Sequence, residues 1–556
     1  MVNEQSIAGK IKNHFNFWNI TKYLFIILLL IFLVYPLFAI IFRSFYNSEG
    51  EFTMKFYKTF FTKAYYYRTL INSLKVSVLT TVLSVVVGVP LAYITSRFNV
   101  FGKKLINLLI IMSLMSPPFI GAYSWIMLLG RNGFITNLFE KIGITMPPIY
   151  GFGGIIMVFT LKLFPYVYLY VSGAMSSIDR SLEEAAENLG SSKLRRVFTV
   201  TIPVIMPTLA AGAIMVFMSS LADFGTPMLI GEGYKVLPVL VYEEYMSEMG
   251  GNANMAGALS VVIVFCSTAV LLIQKYVISR KNYVMTAMRP PIIEKLSMAK
   301  RILLTAICMF VAFVAFLPQI VVVITSFVKT SGPIFVKGFS LESYEKIFYK
   351  LSKNITNTFT FSIIAIVIII IAGMLLSYLI VKRKSKINSF LDLLIMFPYV
   401  IPGAVLGICM LVAFNKPPII LSGSAAILII AYVIRKMPYT IRSSSALLYQ
   451  IEPSIEEASI NLGVSPMKTF FKITARMMAP GVLSGAILSW ITTINELSSS
   501  IMLYSGKTAT ISVAIYTEVV RSSFGTAAAL ASILTITTIL SLLLFNWVSK
   551  GKVSVI

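Results

Sequence analysis

Glu183-Glu184-Ala185-Ala186-Glu187-Asn188-Leu189-Gly190 returns as Glu456-Glu457-Ala458-Ser459-Ile460-Asn461-Leu462-Gly463. The matched glutamates 184 and 457 lie 273 positions apart, and the same spacing carries Pro165-Tyr166 onto Pro438-Tyr439, Pro207 onto Pro480 and Asp223 onto Glu496. A register held over that length marks an internal duplication, so each copy is a structural unit with an equivalent task.

Of the 556 residues 57% are hydrophobic and 12% charged, about half the charged share of a soluble domain. That apolar excess has to face lipid. A bilayer needs about 20 apolar residues per helix, and such runs are read at 24–42, 74–96, 105–129, 151–175, 208–230 and 256–279. A second set follows at 302–327, 358–381, 390–414, 424–449, 481–503 and 526–548. Helices are expected because every backbone polar group must be satisfied without water. An even number of spans before the second copy returns it to the starting side, so the repeats are parallel and can enclose a central path. The expected fold is an all-α polytopic membrane protein of about twelve transmembrane helices in two six-helix repeats, with one span per half open to a re-entrant reading.

The formal charge of +25 would suggest nucleic acid in a soluble protein. Here the basic residues cluster between apolar runs: Arg97, Lys103 and Lys104; Arg280 and Lys281; Lys382, Arg383, Lys384 and Lys386; Lys550 and Lys552. Membrane topology explains them, and no nucleic-acid partner is expected. Placing these loops in the cytoplasm puts both termini and both repeated motifs there as well. Residues 1–22 read as a cytoplasmic tail, 23–280 as the first half, 281–301 as a cytoplasmic linker and 302–556 as the second half. The run 24–42 lacks a following A-x-A-like cleavage site and reads as an uncleaved span. Cys266, Cys308 and Cys409 all fall in apolar runs, and His14 is the one histidine. Neither a disulfide framework nor an imidazole-based metal site is expected.

The segments 181–207 and 454–480 are too polar for lipid and rich in helix formers. Ser181 with Glu184, and Ser454 with Glu457, have capping-box spacing, and Gly190 or Gly463 suits a left-handed helix end. Each segment reads as an exposed helical hairpin fit to dock into a partner's groove. The pattern resembles the EAA loop of binding-protein-dependent ABC importer permeases, E-A-A-x3-G-x9-I-x-L-P. Glu184, Ala185, Ala186, Gly190, Val200, Ile202 and Pro203 match with conservative changes; the second copy keeps Glu457, Ala458, Gly463 and Ile473 but has Ser459, Ala475 and Arg476. Two such loops in one chain are similar to the fused ferric-iron and thiamine importer permeases.

That resemblance implies a bacterial cell-membrane permease without catalysis of its own. It implies two ATP-binding subunits seated on the loops, with ATP and magnesium held there, and a solute-binding protein on the external face. Ferric iron is the first expected solute, with 2-aminoethylphosphonate, thiamine or polyamine as alternatives. Gly506-Lys507-Thr508 fails the phosphate-loop pattern because Ile501 stands where its first glycine belongs. The competing class is a twelve-span secondary transporter, which has no use for two such hairpins.

Ionisable residues inside spans usually face a partner or a cavity. The repeat pairs Lys162 with Arg435 and Asp223 with Glu496. The expectation is one ion pair per half, Lys162 with Asp223 and Arg435 with Glu496, either purely structural or lining the path. Lys436 has no charged counterpart, since Leu163 matches it. Pro117-Pro118 and Pro402 are expected to kink the third and ninth spans.

Overall fold

The computed structural model describes residues 17–548 apart from 48, 115, 118, 177, 248–251, 280–292 and 332–333. Most of these residues lie in two matched series of helices. The first runs α1 (Phe17–Ser44), α2 (Ala64–Arg97), α3 (Lys103–Leu114), α4 (Ile120–Leu129), α5 (Phe152–Ser176), α6 (Arg180–Asn188), α7 (Val197–Ala222), α8 (Gly225–Ile230), α9 (Leu237–Met246) and α10 (Ala253–Ser279). The second runs α11 (Met298–Ser326), α12 (Glu342–Lys382), α13 (Lys386–Val400), α14 (Gly403–Ala413), α15 (Ala425–Leu448), α16 (Pro453–Asn461), α17 (Pro466–Ile494), α18 (Ser500–Leu503), α19 (Ile511–Val520) and α20 (Phe524–Val548). A small antiparallel hairpin, β1 (Val328–Ser331) and β2 (Ile334–Phe339), precedes α12.

Among the described residues nine helices are long and apolar enough to cross a bilayer: α1, α2, α5, α7, α10, α11, α12, α17 and α20. The bent pair α13 and α14, turning through 109°, counts as a tenth. The other two expected spans are present in altered form. The run 105–129 is broken into α3 and α4, and α15 has the length to span but carries Arg435, Lys436 and Arg442.

The prolines act as breaks rather than kinks. Pro117 lies in the non-helical stretch between α3 and α4, and Pro402 stands in extended backbone just before α14. Proline supplies no N–H to the turn before it, so each helix stops and a new one starts. Pro118 lies outside the described residues. The expected spans 208–230 and 481–503 also shift: α7 and α17 begin inside the polar hairpins and stop at Ala222 and Ile494. The linker read at 281–301 ends in helix, because α11 starts at Met298; 281–292 lie outside the described residues.

The described residues form two compact units. One comprises 45–350 and 515–535, the other 17–44, 351–514 and 536–548. Each therefore holds the leading span of the other repeat: α11 packs on α3 and α4 in the first, α1 on α14 in the second. At the heart of the first unit α2, α5 and α7 pack together; in the second α12, α15 and α17 do. Small residues set the approach, as expected where close backbone contact drives helix association. A Cβ on Gly88 would lie 3.0 Å from Val167 Cβ, and one on Gly373 would lie 2.7 Å from Thr440 Cγ2.

The units repeat in their polar fastenings too. Asn72 Nδ2 donates to Lys235 O at 2.9 Å, and the Leu237 N–H donates to Ser73 Oγ at 2.8 Å. In the other unit Asn357 Nδ2 donates to Lys507 O at 3.0 Å, and the Ile511 N–H to Thr358 Oγ1 at 2.7 Å. Each Asn-Ser/Thr pair holds the loop that leads into α9 or α19, and the Ser or Thr satisfies a helix-start N–H without an intrahelical partner.

Candidate functional site

The hairpins begin earlier than the serine spacing suggests. Asp179 caps α6, accepting from the Ser181 N–H at 2.9 Å, while α16 starts with Pro453 behind Glu452. Ser181 and Ser454 thus lie within their helices and neither is the cap. An aspartate is as good a cap as serine, and proline at a first helical position leaves no N–H to satisfy. The far ends match the expectation. Gly190 and Gly463 adopt φ of +79° and +83°. The Gly190 N–H reaches Glu187 O at 2.8 Å and the Ser191 N–H reaches Ala186 O at 3.0 Å; Gly463 to Ile460 O and Val464 to Ser459 O repeat this at 2.9 and 3.2 Å. These are the two bonds of a Schellman turn, so both hairpins turn alike. Just before the turn, Leu189 and Leu462 are 87% and 84% exposed.

Which glutamate faces where is decided by the helix. Glu183, not Glu184, turns back to the membrane body: it accepts from Arg97 Nη2 at 2.5 Å and from Thr201 Oγ1 at 3.3 Å. Its counterpart Glu456 accepts from Thr474 Oγ1 at 2.7 Å and Tyr378 OH at 3.4 Å. Glu184 pairs with Arg180 along its own helix, and Glu457 is exposed. Ala185 and Ala458 share that exposed face, whereas Ala186 and Ser459 turn inward. The Ser459 hydroxyl is not an empty departure from the motif, since it bonds Thr469 Oγ1 at 2.9 Å across the hairpin. Arg196 with Glu187, at 2.5 Å, braces the first hairpin instead.

Both threonines end a single π turn, Val197–Thr201 and Phe470–Thr474, at matched positions. Such turns concentrate at functional sites. Ala475 and Arg476 leave the second one intact. Sequence reasoning passed over Glu183, Thr201, Glu456 and Thr474, although the 273-residue spacing pairs them.

The ionisable residues meet at helix breaks. α7 stops at Ala222, and Asp223 then accepts from the Thr226 N–H at 3.0 Å and from Lys162 Nζ at 2.8 Å. α17 stops at Ile494, and Glu496 accepts from the Ser499 N–H and hydroxyl, both at 3.1 Å. Arg435 pairs with one Glu496 oxygen and Lys436 Nζ lies 2.6 Å from the other. Asp223 and Glu496 were expected inside the fifth and eleventh spans; they lie just past them. A broken helix frees backbone N–H groups in an apolar setting, and a carboxylate can take one while a cation balances it. Lys436, unmatched in the repeat, is thereby a full partner of Glu496.

The repeat of hairpin, π turn and acid-capped break coincides with a known family. The model of the binding-protein-dependent transport system inner membrane component matches residues 84–283 and again 369–553. The chain belongs to this permease family. Its two permease copies each take in one hairpin and one break. Along almost its whole length the tandem permease is similar to the ferric transport system permease protein FbpB of Actinobacillus pleuropneumoniae, 27% identical over 94% of this chain and 77% of the relative. The molybdenum transport system permease protein ModB of Escherichia coli is 28% identical over 39% of this chain and 96% of its own length. Among solved structures, a bacterial ABC transporter that imports the acidic polysaccharide alginate overlaps 50% of this chain and 99% of its own, at 19% identity and a TM-score of 0.41. The permease is thus a multi-pass membrane protein of the importer class, and its relatives are transport proteins rather than enzymes.

Proposed function

We propose that this permease carries ferric iron into the cell, driven by two ATP-binding subunits that dock on the hairpins α6 and α16 from the cytoplasm. Both termini lie on that side in this reading, and a solute-binding protein docks on the opposite face. The observation that carries it is the duplicated hairpin, built by the same turn, the same π turn and the same inward glutamate at both places. Two equivalent docking elements suit a pair of identical motor subunits. Glu184, Ala185, Glu457 and Ala458, with the exposed leucines 189 and 462, form the docking faces. Glu183 and Glu456 transmit the push, because each joins its hairpin to a spanning helix through a charge-assisted hydrogen bond.

Iron as the solute rests on the similarity to the FbpB proteins over most of the chain. Among the described residues no three His, Cys, Asp or Glu converge, so selection of the metal falls to the binding protein. The test is reconstitution of the permease with its ATP-binding subunit in lipid vesicles, with loaded binding protein outside. Radioiron should accumulate only when ATP and binding protein are both present. Accumulation without either would return the chain to the secondary-carrier class.

A further inference from the structure

Each inward glutamate is held by a residue near the end of a spanning helix, Arg97 of α2 for Glu183 and Tyr378 of α12 for Glu456. In both units the segment that enters the leading span of the other repeat lies on that holder. In the first, Glu294 runs beside the end of α2: its N–H donates to Arg97 O at 2.8 Å and its carbonyl accepts from the Asn99 N–H at 3.3 Å. Its carboxylate reaches the hairpin itself, 3.1 Å from Lys193 Nζ. Asn99 Oδ1 accepts from the Leu296 N–H at 3.1 Å, Thr305 Oγ1 accepts from the Phe101 N–H at 3.0 Å, and the Arg301 guanidinium lies 3.6 Å from the centre of the Phe101 ring. In the second unit α1 begins with Phe17 and Trp18. The Trp18 ring stacks on Tyr378 at 4.4 Å and meets Phe470, in the hairpin's π turn, edge-on at 4.9 Å.

One place is thus fastened by two chemistries, ions and backbone bonds in one unit and rings in the other. Duplication did not supply this. Pro36, Ser44 and Phe45 of the first leading span match Pro318, Ser326 and Phe327 of the second, and the same alignment sets Trp18 against Lys300. Unrelated residues that reach the same holder point to a task at that place rather than to an inherited contact. A tryptophan that only marks a membrane boundary keeps its N–H in the wet interface. Trp18 is 1% exposed, and among the described residues its indole N–H has no partner, so the ring is there for its faces. We propose that the entries to α1 and α11 are crossed straps, with Trp18 and Glu294 as positioning residues for coupling: a hairpin moved by its motor subunit carries the leading span of the other repeat with it. Packed rings and hydrogen-bonded backbone transmit a displacement that a slack loop would absorb. The proposal rests on the reading of the hairpins as docking elements for ATP-binding subunits.

The test uses the full chain assembled with its ATP-binding subunit in lipid vesicles. It reads the stimulation of ATP hydrolysis by loaded binding protein and the iron imported per ATP hydrolysed. Trp18→Ala should lower both by about tenfold, the scale of the two ring contacts it removes, while basal hydrolysis and subunit co-purification stay unchanged. Trp18→Phe should keep most of the coupling, because no hydrogen bond is lost. Glu294→Lys should lower stimulation about threefold, the scale of an exposed ion pair, and Lys193→Glu added to it should restore the loss. Lys193 and Glu294 are 74% and 50% exposed, so their exchange stays readable if Trp18→Ala fails to fold. Wild-type stimulation in both Trp18→Ala and Glu294→Lys would overturn the straps. So would a fall of basal hydrolysis and co-purification in step with stimulation, the mark of a merely structural role. A Glu294→Lys loss that Lys193→Glu does not restore would overturn the first strap. An unmodified complex that holds no ATP-binding subunit would overturn the importer reading and the straps with it, whereas coupled transport in the unmodified complex with unaltered variants overturns the straps alone.

Discussion

Asp223 and Glu496 occupy the same place in two copies of one design, and their surroundings differ. Asp223 holds one lysine, and the two side chains keep 18% and 23% of their exposure. Glu496, at 5%, sits between Arg435 and Lys436, and α14 presses on Arg435 and Ser498 through Gly403. Both carboxylates accept a backbone N–H at the start of the short helix after a break, so the backbone role is shared. The charge balance is not shared: the first pair is neutral and part-exposed, while the second cluster keeps an excess cation and is sealed. A duplicated fold thus preserves where a carboxylate goes, and local packing decides whether that place stays part-exposed or is sealed.

The sharpest way to break this comparison is to remove each acid alone. Glu496→Gln strands two buried cations, and an uncompensated buried charge costs about 3–5 kcal/mol. The folded yield, read by fluorescence-detected size exclusion, should collapse. Asp223→Asn strands one part-exposed cation, so a smaller loss is expected. Equal losses would show that the two sites are equally closed.

Pairwise removal sharpens it further. Lys162→Met combined with Asp223→Asn should recover most of the single-mutant loss, with a coupling of about 1–3 kcal/mol in a double-mutant cycle. Arg435→Met with Glu496→Gln should recover little, because Lys436 stays charged; adding Lys436→Met should complete the rescue. Simple additivity in the first cycle would leave Lys162 and Asp223 as independent residues.

The hairpins allow the same treatment on the proposed docking faces. Glu184→Lys and Glu457→Lys should each reduce uptake and ATPase co-purification by about tenfold, the scale of an interface hot spot. Glu184→Lys should be the more damaging, because the first loop keeps the fuller motif. Wild-type values in both would remove the docking assignment. The smallest effect, and the strictest test of equivalence, comes from Gly190→Ala and Gly463→Ala. Neither Cβ would meet an atom within 4 Å, so each should cost about 1 kcal/mol from the left-handed backbone alone. Unequal losses in melting temperature would mean that the two turns are loaded differently.

Much of this was legible because duplication doubles every signal. The spacing of 273 residues located the hairpins, the left-handed glycines and the acid-cation pairs from single letters. It would also have yielded Glu183 with Glu456 and Thr201 with Thr474. The caps were misread because a serine with a following glutamate is a local pattern, and Asp179 and Pro453 take the helix start one or two residues earlier. The prolines read as kinks for a similar reason, since composition cannot tell a bent helix from two helices.

Sequence alone determined the membrane class, the two-copy organisation, the hairpins and their turns, because these depend on composition, period and residues with special backbone freedom. Tertiary structure decided the rest. It brought Lys436 to Glu496 and Arg97 to Glu183, carried α11 onto α3 and α4, and packed Gly403 of α14 against Arg435. Those outcomes depend on which helix faces approach one another, and a burial partner hundreds of residues away leaves no mark on the local pattern.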